Sequence, residues 1–228
     1  FFHCLVNAAH QFHKRTSKDE RYLLSGYPWF KCRARDTFIA LPGLTLAIEE
    51  QSYFELVMKT AEKGLREFMS GKKQSGMMVE VDQPDVMLWA VWAIQQYEKH
   101  AGRDKCCQMY GKLLKDVIYY IIDGKHPNLE LKENGLLYTE GKDKAVTWMN
   151  STQNGRPVVP RTGYIVEFNA LWYNALRFCA CIAAHAGDHT ASERFERMGD
   201  LCKSSFVGTF LNQYGYLFDF VDDDAPDW

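Results

Sequence analysis

The sequence predicts an all-α domain assembled from helical hairpins, with about seven helices over its length. Apolar residues recur at helical spacing through most of the chain. The helical stretches stop at Gly or Pro, and their connections alternate between short turns and long irregular loops. No short-period internal repeat is visible, which argues against a simple solenoid.

Phe2, Leu5, Val6, Ala9 and Phe12 form the first stripe, predicting a helix over 1–14 that runs out into the charged loop 14–21. Gly26 and Pro28 then exclude regular structure around Tyr27, Trp29 and Phe30. Arg35-Asp36 stands directly before an apolar run, so Asp36 is expected to cap a helix over 37–50, where Pro42 demands a kink or a break. Tyr53, Leu56, Val57, Ala61, Leu65 and Phe68 define the next helix, which Gly71 stops. The polar loop 71–83 is expected to be mobile. Pro84-Asp85 opens a helix carrying Leu88, Trp89, Trp92, Ala93, Gln96 and Tyr97; Gly102 ends it. Cys106, Cys107, Tyr110, Leu113, Leu114, Val117, Ile118, Ile121 and Ile122 mark another. Segment 126–144, with Pro127, Asn134, Gly135 and Gly141 around Leu136-Leu137-Tyr138, reads as a short strand or an extended loop.

The most informative stretch follows. Thr147-Trp148-Met149-Asn150 leads into Ser151, Asn154, Gly155, Pro157, Pro160 and Gly163, so the backbone is not helical there. From Tyr164 the spacing becomes helical through Glu167, Leu171, Trp172, Ala175 and Leu176, predicting a helix over 164–186. A loop feeding a rigid helix is a frequent location for functional side chains. Gly187-Asp188 breaks the pattern, and Phe195 to Phe210 gives the last helix. The tail places Asp219, Asp222, Asp223, Asp224 and Asp227 close together, without the glycine and glutamate spacing of an EF-hand.

With a net charge of −2 the chain has no electrostatic reason to bind nucleic acid or an anionic membrane. No apolar run approaches the roughly 18–20 residues of a spanning helix. The seven cysteines lack a CxxC pair and are expected to be mostly buried, reduced thiols. The histidines show no metal-ligand spacing, so neither a metal nor another cofactor is assigned. Opening at Phe1 rather than Met suggests excision from a longer protein; the expected compartment is the cytoplasm.

Three segments carry a resemblance. SGYPWFKCRARDTFIALPGL is similar to the glycogen debranching enzyme pattern in which GYPWF precedes a Gly-Arg-Asp-Thr element. QPDVMLWAVWAIQQY resembles its Asp-x-x-Leu-Trp helix, and TWMNSTQNGRPVVPRTGYIVEFNALWYNAL its Thr-Trp-Met-Asp loop and VE-x-NALWYNAL helix. The resemblance implies a glucoamylase-like (α/α)6 toroid, with residues 1–228 forming part of one catalytic domain without its C-terminal helices, and inverting hydrolysis of α-1,6-linked glucose stubs in a glycogen-like α-glucan. It also implies that Arg35 and Asp36 bind hydroxyls of the reacting glucose, that Trp29 and Trp148 line its subsite, and that Asp85 is a further polar contact. Glu167 would bind sugar or position the loop.

Two departures bear on catalysis. Asn150 occupies the family's general-acid aspartate position, and an amide cannot donate the proton that is typically worth about 10²- to 10⁴-fold in rate. Either Glu167 or Glu140 substitutes, or activity is weak. Lys31-Cys32-Arg33-Ala34 replaces the family's Gly and Trp before Arg-Asp, altering the pocket wall. The family's base is expected beyond residue 228, so little activity is expected from the chain alone, together with self-association through exposed apolar helix faces. The alternative is a catalytically impaired carbohydrate-binding helical domain.

Overall fold

A computed structural model describes residues 1–26 and 29–222. The expectations placed on Tyr27, Pro28 and the tail aspartates Asp223, Asp224 and Asp227 fall outside the described residues. The described chain is 55% helical, with seven α-helices and little sheet. It divides into two compact units, Phe1–Asp82 with Trp89–Leu113, and Gln83–Leu88 with Leu114–Trp228.

In the first unit, α1 (Phe2–Gln11) stops earlier than its stripe predicts. The charged stretch beyond it folds back as a hairpin instead of a loop, β1 (His13–Arg15) pairing antiparallel with β2 (Arg21–Leu23). Asp19 turns the chain at φ 61 while its carboxylate pairs with Arg15 and Arg21, and Tyr22 and Leu23 are buried. Next, β3 (Cys32–Arg33) leads directly into α2 (Ala34–Leu44), which begins three residues before the predicted start. Asp36 is therefore not its cap: it lies in the first turn, and the N-cap is Arg33, whose side chain makes no capping bond. Pro42 is accommodated in the last turn, and the predicted single helix breaks just after it. A 3₁₀ turn at Leu46–Ile48 and Glu49 at φ 62 separate α2 from α3 (Gln51–Met69).

The buried stripe of α3 is Phe54, Val57, Met58, Ala61 and Leu65, whereas Leu56, expected inside, is exposed. Within the loop 71–83, β4 (Met78–Val79) pairs parallel with β3, so this stretch contains a strand. The helices α4 (Val86–Ala101) and α5 (Arg103–Ile122) follow. Tyr97 of α4 stacks on Phe54 at 4.9 Å and meets Tyr110 of α5 edge-on at 5.3 Å. Its hydroxyl donates to Glu55 at 2.6 Å, satisfying the polar end of an otherwise buried ring.

In the second unit the segment 126–144 forms strands: β5 (Glu130–Leu131) and β6 (Leu137–Thr139). A separate hairpin, β7 (Thr152–Gln153) with β8 (Arg156–Pro157), precedes β9 (Gly163–Ile165). Then come α6 (Val166–His185), α7 (His189–Phe210) and β10 (Phe220–Val221). The main sheet is antiparallel in the order β10-β9-β6-β5. Residues 164–165, predicted helical, are thus strand, and α6 starts after them. Asp188 caps α7 by accepting from the Ala191 N–H at 3.1 Å and pairs with Lys115.

α6 joins the sheet through two fully buried side chains. Asn169 Oδ1 accepts from Leu137 N–H at 2.7 Å, while its Nδ2 donates to Leu137 O and Ile165 O, both at 3.0 Å. Trp172 Nε1 donates to Gly135 O at 3.2 Å. The amide therefore satisfies both backbone polar groups of one strand residue from a neighbouring helix, which burial requires. All seven cysteines are free; Cys32, Cys106, Cys179 and Cys202 are buried, Cys107 is intermediate, and Cys4 and Cys181 are exposed. Among the described residues no helix is long and apolar enough to cross a membrane.

Candidate functional site

The Thr147–Asn150 stretch is rooted at one end and presented at the other. Val146 and Thr147 are buried, and Thr147 Oγ1 accepts from Met149 N–H at 3.2 Å. Trp148 is 61% exposed, and Asn150 is exposed beyond it with its N–H bonded to Trp148 O at 2.9 Å. The β7–β8 hairpin begins immediately afterwards, closed by Val158 N–H donating to Ser151 O at 2.9 Å. Asn154 and Gly155 occupy its two-residue turn with φ 51 and φ 79, the pairing favoured where both central residues must be left-handed. A large indole and an amide thus stand on a loop held on both sides.

The chain then enters an ionic cluster, centred on a buried arginine, that sequence reasoning missed. The Arg161 side chain is 1% exposed. Its Nη1 and Nη2 donate to the two carboxylate oxygens of Glu167 at 2.5 and 2.7 Å, and Nη2 also reaches Asp219 Oδ1 at 2.7 Å and Asp219 O at 3.2 Å. Burial by itself lowers the guanidinium pKa, but the two carboxylates more than reverse this and leave it raised. Arg161 therefore keeps its charge, and its fork fixes the Glu167 carboxylate in the first turn of α6. Asp219 also supplies its carbonyl to Val166 N–H at 3.2 Å, capping an otherwise orphan donor of that helix.

Close packing holds the strands around this cluster. A Cβ on Gly163 would meet Val221 O at 2.2 Å, and one on Gly141 would meet Arg161 O at 1.8 Å, so neither position tolerates a side chain without backbone movement. Gly141 N–H donates to Thr162 Oγ1 at 3.1 Å. Beyond β10, Asp222 accepts from Tyr138 OH at 3.3 Å and faces Lys142 Nζ at 3.5 Å.

The other expected site residues are placed locally as follows. Asp85, in the second unit, is 1% exposed and immediately precedes the start of α4. Arg35 and Asp36 are neighbours in the first turn of α2 in the first unit, Arg35 buried and Asp36 half-buried. Trp29 of the same unit is 85% exposed. Its loop is closed by Ser25 N–H to Lys31 O at 3.1 Å and Arg33 N–H to Ser25 Oγ at 2.8 Å. Glu140 is exposed just after β6. The contacts connect Glu167 to Arg161 and, through it, to Asp219, two residues the sequence reading had not selected for the site.

In the second unit the loop and the cluster offer carboxylates and an amide able to hydrogen-bond hydroxyls, beside one exposed indole, that of Trp148. Asn150 can donate and accept hydrogen bonds but cannot transfer a proton as an acid. Glu167 is engaged at both oxygens by Arg161. Among the described residues no group of His, Cys, Asp and Glu is arranged to hold a metal ion. Comparison with curated proteins returns no match. Residues 6–227, nearly the whole chain, match the amylo-alpha-1,6-glucosidase family, and the chain therefore belongs to that family of glycosidase domains.

Proposed function

We propose that this chain contributes to inverting hydrolysis of α-1,6-linked glucose stubs on a glycogen-like α-glucan, within an (α/α)6 toroid. Family membership over residues 6–227 carries the reading. In it, Trp148 and Trp29 cover the sugar ring, Arg35 and Asp36 bind its hydroxyls, and Asp85 adds a polar contact. Glu167, held by Arg161, accepts hydrogen bonds from sugar hydroxyls rather than donating the catalytic proton. Asn150 stands at the leaving-group oxygen but does not protonate it, which limits the rate.

The test is glucose release by the full-length protein from a glucan bearing single α-1,6 glucose stubs, with the anomer recorded at first release. Asn150→Asp is expected to raise release by about 10²-fold or more, the usual worth of a positioned general acid, with β-glucose appearing first. An Asn150→Asp protein that binds the glucan but releases no more glucose than the parent refutes this role for position 150. The amide of Asn150 supports a second reading, a carbohydrate-binding domain without catalysis. That reading is favoured if calorimetry detects oligosaccharide binding while both proteins fail to hydrolyse it.

A further inference from the structure

We propose that Asn150 is a self-modification site: deamidation at Asn150-Ser151 converts the side-chain amide into a carboxyl on the loop that carries Trp148. The modification rests on local geometry; only its catalytic consequence rests on the glycosidase reading above.

The chemistry needs water and no oxidant or reductant. The Ser151 backbone nitrogen, after loss of its proton to solvent, attacks Asn150 Cγ. A Cγ–N bond forms, the Cγ–Nδ2 bond breaks, and the nitrogen departs as ammonia after taking up a proton. Water then opens the resulting five-membered imide at either carbonyl, leaving aspartate or isoaspartate. The requirements are an accessible amide, an unengaged N–H on the following residue, and a backbone free of helical or sheet pairing.

Position 150 meets all three. Asn150 and Ser151 are exposed and lie outside helix and strand. Asn150 N–H is bonded to Trp148 O and Ser151 O accepts from Val158 N–H, but among the described residues the Ser151 N–H donates no hydrogen bond. Of the two Asn-Gly pairs, whose small successor favours the reaction, the structure ties down one. Asn134-Gly135 has the smaller successor, yet Gly135 N–H is tied to Lys132 O at 2.9 Å and Asn134 Oδ1 accepts from Leu136 N–H at 3.0 Å. Asn169 is buried with its amide fully bonded in α6. Asn154-Gly155, in the two-residue turn at φ 51 and φ 79, is exposed and meets the same requirements with the smaller successor, so conversion is expected there too and must be resolved from that at Asn150.

The experiment holds the native protein at mildly alkaline pH and maps its peptides, with fragment ions separating position 150 from position 154. Aspartate and isoaspartate are expected to accumulate at 150, while Asn134 converts only after denaturation. Ser151→Val should slow conversion at 150 by about tenfold, because a β-branched side chain stiffens the backbone that must reach Cγ. Retention of the amide at 150 in the native protein, over a period in which the denatured chain converts, overturns the proposal. Glucose release is measured on the same samples, with Asn150→Asp as reference. Release rising with the aspartate fraction supports the catalytic consequence. An active Asn150→Asp protein alongside a converted sample that gains nothing overturns that consequence. Conversion together with an Asn150→Asp substitution that leaves the full-length protein inactive counts against the glycosidase reading and leaves the modification established.

Discussion

Replacing Arg161 with Met removes the guanidinium and keeps much of the aliphatic volume. Four hydrogen bonds are lost, two to the Glu167 carboxylate, one to the Asp219 carboxylate and one to the Asp219 carbonyl. Breaking a fully buried ion pair costs about 3–5 kcal/mol, mainly because a charge is stranded. Here the stranded groups retain access to water, since the Glu167 side chain is 26% exposed and that of Asp219 54% exposed. The expected cost is therefore lower, about 2–3 kcal/mol. Asp219→Asn, which disturbs only the more exposed arm, should cost less than about 1 kcal/mol. Urea titration, followed by a probe in the second unit, gives each value by linear extrapolation, and the double variant gives the coupling between them. Equal stability of Arg161→Met and the parent would refute the claim that this cluster ties α6 to β10; equal costs for the two single variants would refute its centring on Arg161.

Gly163→Ala should push β10 off the sheet, because the new methyl meets Val221 O at 2.2 Å and the residue sits at φ 90; hydrogen exchange at residues 219–222 should accelerate while that of α3 is unchanged. Asn169→Ala leaves Leu137 N–H and O without their helix-borne partner in a fully buried place, costing about 3 kcal/mol by the same titration. His13 supplies the pH prediction. Burial lowers its pKa from the ordinary 6.5, outweighing the Leu44 carbonyl and the Glu50 charge that raise it, while His10 lowers it further. The folded state favours neutral His13, so its contribution is fully present above 6.5 and is lost as pH falls through the folded value. Melting temperature should drop over that interval, and His13→Gln should flatten the drop.

The helices were legible because each carries several apolar residues on one face, and the stops at Gly71, Gly102 and Gly187 follow α3, α4 and α6 closely. Apart from the short strand or extended loop expected around Leu136-Leu137-Tyr138, the strands were not, because pieces of two or three residues are too short to display alternation. The start of α2 was misplaced because Asp36 has the chemistry of a cap, while the backbone had already turned helical at Ala34. Arg161 was invisible for a different reason. It lies between Pro160 and Thr162 in a stretch that reads as loop, and its partner Asp219 is 58 residues away, beyond any local pattern. The available clue was a lone cation before the buried run Gly163–Ile165, followed by a carboxylate at the start of a helix. Asn169 and Trp172 lay inside a recognised pattern, but only the structure assigns both a role in joining helix to sheet.

The return of β10 to β9 has a consequence for assembly. The strand comes back from the far end of a two-helix excursion, so its docking closes a large loop and must await the pairing of α6 with α7. Until then β9 presents an unprotected edge of backbone donors and acceptors, available to any extended chain nearby. The second unit should accordingly be most vulnerable to wrong strand pairing late in folding, with arrival of the Asp219 segment ending that exposure.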